Sequence, residues 1–310
     1  MGKFILKRFF NMILVLLGVS VIVFLLLRLS SGDPAYIKLS GVGIPVTDEL
    51  LHETREAMGL NLPMYQQFWN SFTGILTGDL GMSYRTGRPV LEELIKGLGP
   101  TLKLAGAAFF LTVALSVPLG IVTALYANRA IDYIIRVTSF LATAMPLFAL
   151  GLLLIYVFSL ELQWLPVSGS ESIAGLVLPT LSLSLGLVGR YTKQIRGAVL
   201  DEIGQDYVAA ARTRGLSERI VLIRHVLRGS LISVVTLLGL SFGALLGGTA
   251  VIEIMFVWPG VGKLIVEAVR HRDFPMVQGF TLLMAVIYCG INFLVDMSYG
   301  FLDPRIRSRS

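Results

Sequence analysis

Charge is what this chain has least of. Only 15% of its 310 residues are Asp, Glu, Lys or Arg, whereas soluble domains carry about 25%. That is too little to cover a globule in water. With 55% hydrophobic residues and a mean hydropathy of +0.76, the solvent it fits is lipid. Cysteine is nearly absent: Cys289 stands alone in an apolar run, which excludes a disulfide framework and a Cys-based metal cluster. The three histidines, His52, His225 and His271, share no ligand-like spacing. Internal repeats and low-complexity tracts are missing as well.

Long apolar runs are abundant. A bilayer crossing takes roughly 20 mostly apolar residues, and six stretches qualify: Phe9 to Leu27, Leu102 to Tyr126, Ile134 to Leu160, Ile173 to Val188, Leu231 to Ile252, and Val277 to Leu302. Pro179, Ser182 and Ser184 make the fourth the weakest. Pro118 and Pro146 require the second and third spans to have their freed backbone groups re-satisfied by neighbours. Lys3, Lys7 and Arg8 precede the first run like the start of a signal peptide. The run of about 19 residues is longer than a signal core and no A-x-A-like site follows, so it reads as a retained anchor.

Basic residues set the orientation. With six spans and the N-terminus inside, 16 of the 26 Lys and Arg residues fall in inner segments. Most of the others lie in or beside an outer loop of about 70 residues, too long to obey the rule. Both termini are therefore expected in the cytoplasm. The net charge of +6 follows from topology, with no nucleic-acid partner required. Within the outer loop, Thr47 and Asp48 are placed to cap a helix running to Met58, with Gly59 as its stop.

The main inner segment, Asp201 to Ser233, is polar and short. Asp206 to Arg214 is expected as a helix with Tyr207, Ala210, Ala211 and Arg214 along one side. Gly215 can adopt φ > 0 to end it, and Ser217 can cap a second helix from Glu218. The plain reading is an ordinary positive inner loop. The sharper one is a knob against which a partner seats.

The residues here resemble a family. D-Y-V-A-A-A-R-T-R-G-L-S, from Asp206 to Ser217, resembles the EAA loop of ABC importer permeases. Further matches are L-R-L-S-S-G-D-P (27–34), G-D-L-G-M-S-Y (78–84), T-G-R-P-V (86–90), L-Q-W-L-P (162–166), G-G-T-A-V-I-E (247–253), W-P-G-V-G (258–262), N-F-L-V-D (292–296) and L-D-P-R-I-R (302–307). As a set they are similar to the permease subunits of the dipeptide/oligopeptide/nickel family of bacterial ABC importers, nearest in appearance to the nickel-type branch. Ala209 stands where the motif has its acid, and Ser233 where a proline often follows.

The resemblance implies an all-α membrane protein with six transmembrane helices and the type I, binding-protein-dependent permease fold, in the bacterial inner membrane. Its parts would be an N-terminal transmembrane helix (1–28), an extracytoplasmic cap (29–100), a five-helix core (101–302) with a cytoplasmic coupling loop (190–230), and a cytoplasmic tail (303–310). Asp206, Tyr207, Ala209, Ala210, Ala211, Arg212, Gly215 and Leu216 would engage an ATPase. Implied partners are a homologous permease subunit, two ABC ATPases and an extracytoplasmic solute-binding protein. ATP would be bound by the ATPases, and this chain would carry no cofactor. The cargo would be a nickel chelate or a di- or oligopeptide. The solute-binding protein would dock on outer surfaces including Val257 to Lys263.

Other positions are candidates for the pathway or a subunit interface. Gly239, Gly243 and Gly247 repeat every four residues, as in close-packed membrane helices. Asn292 and Asp296 share one helix face and should meet protein or water rather than lipid. Glu253 closes the outer end of its span. Gly260-Val261-Gly262-Lys263 is not a P-loop, because Val257 replaces the leading Gly and Leu264 the Ser or Thr. The rival class, an intramembrane protease or lipid transferase, lacks a nucleophile–base pair at membrane depth.

Overall fold

The computed structural model describes residues 2–29, 32–41, 45–169 and 172–302. The tail from residue 303 lies outside that description. Thirteen α-helices are assigned among the described residues. The pairing of Met82 with Pro89 is an isolated bridge, not a strand.

The chain divides into two compact units, Met1–Pro100 with Pro259–Gly290, and Thr101–Trp258 with Ile291–Ser310. The first contains α1 (Gly2–Leu29), α2 (Pro34–Gly41), α3 (Asp48–Ala57) and α4 (Met64–Thr77). It also holds the start of α5 (Val90–Leu125), then α12 (Val261–Arg270) and most of α13 (Phe274–Leu302). The expected cap helix is present: the Thr47 hydroxyl accepts from the Leu50 N–H, and Gly59 has φ +66°. Helices α2 and α4 were not foreseen, and α5 begins twelve residues before the expected span.

Val90, Leu94, Val261, Ala268 and Met276 form the core of this unit. Gly279 is required there, because a Cβ would lie 2.7 Å from Val90. Asp273 is the polar hub and is fully buried. Its carboxylate accepts from the Ser83 hydroxyl, from the Tyr84 N–H at 3.0 Å and the Arg85 N–H at 3.3 Å, and caps α13 through the Met276 N–H at 3.3 Å.

The second unit centres on α8 (Ile173–Ile203), which packs against α6 (Ala130–Ala144), α7 (Leu147–Leu154) and α11 (Arg228–Met255). Helix α7 continues as a π-helical stretch, Ile155–Glu161. Leu104, Leu178, Leu183, Ile252, Phe256 and Trp258 fill one core of this unit. The prolines behave differently from one another. Helices α5 and α8 run unbroken through Pro118 and Pro179. At Pro146 the missing N–H and the extended backbone forced on Met145 (ψ 131°) end α6, and the chain turns by 103° before α7.

Among the described residues, four helices are long and apolar enough to cross a membrane: Arg8–Leu29, Val90–Leu125, Ile173–Ile203 and Phe274–Leu294. Counted as one broken span, the bent α6–α7 pair, where a span over Ile134 to Leu160 was expected, brings the number to five. The expected Leu231–Ile252 span falls within α11, many of whose side chains lie outside the description.

Asp273→Ala should strand its buried donors, each costing about 1–3 kcal/mol when unpaired. The expected outcome is destabilisation by at least about 2 kcal/mol, read as faster proteolysis of the 79–89 turn in detergent. An unchanged digestion pattern would remove Asp273 as the hub.

Candidate functional site

The segment from Asp201 to Ser233 is built between two long helices. Helix α8 ends at Gly204, and α9 spans Asp206–Thr213. Gly215 has φ +76°. Its N–H bonds to the Arg212 carbonyl at 3.0 Å and the Leu216 N–H to the Ala211 carbonyl at 3.4 Å. That pair of bonds is a Schellman motif, which needs a left-handed residue at the position glycine occupies. The chain then enters α10 (Glu218–Ile220), with Ser217 at the N-cap position but without a side-chain capping bond. The second helix thus begins where expected, at Glu218. The helical path runs on through a π-helical stretch, Val221–Leu227, into α11.

Val208 and Ala211 are the buried residues of α9. They pack with Tyr191, Ile195 and Val199 of α8 and with Val221 and Val226 of the π-helical stretch. Of the side expected to carry Tyr207, Ala210, Ala211 and Arg214, Tyr207 and Arg214 are exposed, Ala210 is half-buried and Ala211 is buried, and Val208 is the second buried anchor. Asp206, Ala209, Arg212, Gly215 and Leu216 are exposed.

Polar contacts brace this arrangement. Arg212 donates to both oxygens of Glu218, at 2.7 and 3.2 Å, across the glycine corner. The guanidinium holds the Glu218 carboxyl below the usual carboxylate range. The Tyr207 hydroxyl donates to Glu202, at the end of α8, and lies 3.4 Å from the His225 carbonyl. Desolvation and the adjacent Glu202 carboxylate push the Tyr207 phenol up to about 12. Gly229 leaves room for this contact, since a Cβ there would lie 2.8 Å from the Tyr207 oxygen and still closer to Glu202.

One functional-looking group escaped the sequence reading. Asp132, fully buried in the first turn of α6, takes a two-pronged contact from Arg196 of α8, both bonds 2.9 Å. Arg136 adds a further contact at 3.3 Å. An acid opening an apolar run was the available signal; its partner lies 64 residues on and could be counted only as inner positive charge.

The other candidates do not gather at one place. Glu253 is fully buried and accepts from the Thr101 hydroxyl at 2.6 Å, while its carbonyl accepts from the Trp258 N–H at 2.7 Å. Gly239 and Gly243 are half-buried, and Gly247 is exposed with no heavy atom within 4 Å of where a Cβ would be. Asn292 is half-buried, and its Oδ1 has no hydrogen-bond partner among the described residues. The Asp296 side chain lies outside the description. Of the strip from Val257 to Lys263, Val257 and Pro259 are exposed, whereas Trp258, Gly260, Val261 and Gly262 are buried.

Comparison with known proteins agrees with this architecture. The family described as "Binding-protein-dependent transport system inner membrane component" matches residues 116–308, and its N-terminal companion matches residues 1–105. The glutathione transport system permease protein GsiC of Escherichia coli O6:H1 (strain CFT073) is 38% identical over 308 residues, 99% of each chain. GsiC of Escherichia coli K12 is 37% identical over the same length and coverage. Among solved structures, inward-facing forms of the MetNI methionine ABC transporter share the fold. One has a TM-score of 0.55 at 17% identity, covering 68% of this chain and 96% of the other; a second has 0.53 at 15%, with the same coverage.

Gly229→Ala should cost about 1–3 kcal/mol through overpacking against Glu202 and Tyr207. Thermal unfolding in detergent reads the loss, and Tyr207→Phe in the same chain should relieve part of it. Equal penalties with and without the hydroxyl would mean that the Glu202–Tyr207 contact does not occupy this space.

Proposed function

The chain belongs to the family of binding-protein-dependent transport system inner membrane components, and from that membership we propose that it forms one half of a translocation pathway driven by separate ATPases. It is an ABC importer permease of the inner membrane, a transport subunit and not an enzyme. The intramembrane protease or transferase reading is set aside. In the proposed assembly it pairs with a homologous permease, two ATPase subunits seat on the cytoplasmic side, and an extracytoplasmic solute-binding protein delivers cargo.

The carrying observation is the Gly215 corner. A short helix is anchored on one side by Val208 and Ala211, while Tyr207, Ala209, Arg212 and Leu216 remain open to a partner. That arrangement supports an ATPase-coupling role for Asp206 to Leu216. The basic-residue distribution supports six spans with both termini cytoplasmic, the cap at 29–100, the core at 101–302 with its coupling loop at 190–230, and the tail at 303–310. Closure of the ATPases would move the inner segment and rock the helices between outward and inward access. Gly239, Gly243 and Gly247 suit the seam with the second permease, and Asn292 and Asp296 the pathway. Glu253 would act from within, by holding the outer end of α11 to Thr101.

For cargo, the glutathione permeases among the relatives favour small peptides, glutathione or di- and oligopeptides, over the nickel chelate suggested by the nickel-type motifs.

In Gly215→Val a β-branched residue is held at φ +76°, where no atom lies within 4 Å of a Cβ. Strain of about 1–2 kcal/mol then falls on the backbone alone. Membrane insertion should be normal and uptake reduced, whereas Gly215→Asn, which tolerates the left-handed region, should retain most uptake. Full uptake in Gly215→Val would count against the docking corner.

Deleting the gene should abolish uptake of radiolabelled glutathione or dipeptides, with mutual competition between the two. Loss of nickel uptake alone, with peptide uptake intact, would overturn the cargo assignment.

A further inference from the structure

Helix α4 has an unusual composition for its position. From Met64 to Thr77 it carries no Asp, Glu, Lys, Arg or His, and yet none of its residues is buried. Tyr65, Trp69 and Leu76 recur at helical spacing and form one stripe, each more than 60% exposed, and Leu62 just before the helix is exposed as well. The opposite behaviour appears nearby in α3, which is equally unburied but holds six ionisable residues among ten. Within one unit, therefore, one exposed helix is built for water and another is not.

The packing sets the depth of α4. Phe68 meets Phe24 of α1 edge-on, with ring centroids 5.3 Å apart. Phe24 lies five residues before the end of α1, about 7.5 Å at 1.5 Å per residue, and inside the apolar stretch Arg8–Leu29. Helix α4 thus touches the spanning helix within its apolar length. On α1 itself, Ile22, Leu25 and Leu26 are exposed beside this contact, as the lipid-facing side of a membrane helix must be.

Hydroxyl groups on the exposed side of α4 turn inward. Thr73 donates to the Trp69 carbonyl at 2.9 Å and Thr77 to the Thr73 carbonyl at 3.2 Å. Both are satisfied by their own helix, as polar groups must be where water is scarce.

We propose that α4 is an interfacial helix whose Tyr65–Trp69–Leu76 stripe is immersed in the bilayer. It would lie at the headgroup–acyl boundary and continue the lipid-facing surface of α1. Tyr and Trp favour that level because their rings are apolar and their tips polar. The occupant is phospholipid, and the proposal does not depend on which cargo is carried.

The test uses the full chain, purified with the subunits that accompany it and placed in phospholipid nanodiscs. In a Cys289→Ser background, single spin labels are introduced at positions 69 and 76, and at 53 on α3 as the aqueous reference. Labels at 69 and 76 should relax more with dissolved oxygen than with water-soluble chromium oxalate, and the label at 53 should show the reverse. Labels at 69 and 76 that rank with 53, or that neither agent reaches because protein covers them, would overturn the proposal. Brominated lipids give a second readout without labels. Their quenching of intrinsic fluorescence should fall in Trp69→Phe, and an undiminished quenched fraction would count equally against it.

Discussion

Val208 ties α9 to the rest of the second unit. Its side chain is fully buried, worth about 1.5–3 kcal/mol, and Ala211 is the other residue of α9 buried beside it. Apolar burial has no direction of its own. Direction comes from the contacts around it: the Schellman bonds at Gly215, the Tyr207 hydroxyl between Glu202 and the His225 carbonyl, and Arg212 closing on Glu218. The same stretch of α8 also carries the link to α6. Arg196, which holds Asp132, lies less than one turn from Val199, which packs near Val208. A displacement of α9 has a short mechanical route to a second helix through one turn of α8.

The π-helical stretch after Glu218 makes this socket possible. Val221 and Val226 are both buried in the Val208 cluster, although residues five apart on an α-helix point roughly 140° apart. Widening the turn to i→i+5 hydrogen bonds brings them to nearly one face. A regular helix from Glu218 would have turned one of these valines away from α9. Wide turns of this kind are uncommon and occur often at functional sites, and this one stands between the Gly215 corner and the long helix α11.

What could be read from the sequence followed local chemistry. Thr47 as a cap, Gly59 and Gly215 as left-handed stops, and α9 itself are set within a few residues, and they stand where expected. The bend at Pro146 was detectable as a backbone demand but not as a break, because Pro118 and Pro179 make the same demand and their helices run through it. Val208 was not singled out as the anchor of α9, because a 3.6-residue period cannot anticipate a π turn in the facing segment. Asp132 was overlooked because its meaning depends on Arg196, and pairing across 64 residues leaves no periodic trace.

Glycine use within the second unit separates closed crossings from open ones. At Gly120 a Cβ would lie 2.7 Å from Ile195, and at Gly189 it would lie 2.8 Å from the Thr143 hydroxyl. There the missing side chain is used by the chain's own helices. At Gly247 and Gly248 no heavy atom among the described residues lies within 4 Å. A helix facing only lipid gains nothing from glycine, which costs about 1 kcal/mol relative to alanine in helix interiors. Small residues repay that cost where another backbone approaches closely. The described residues of this chain supply no such backbone at Gly247.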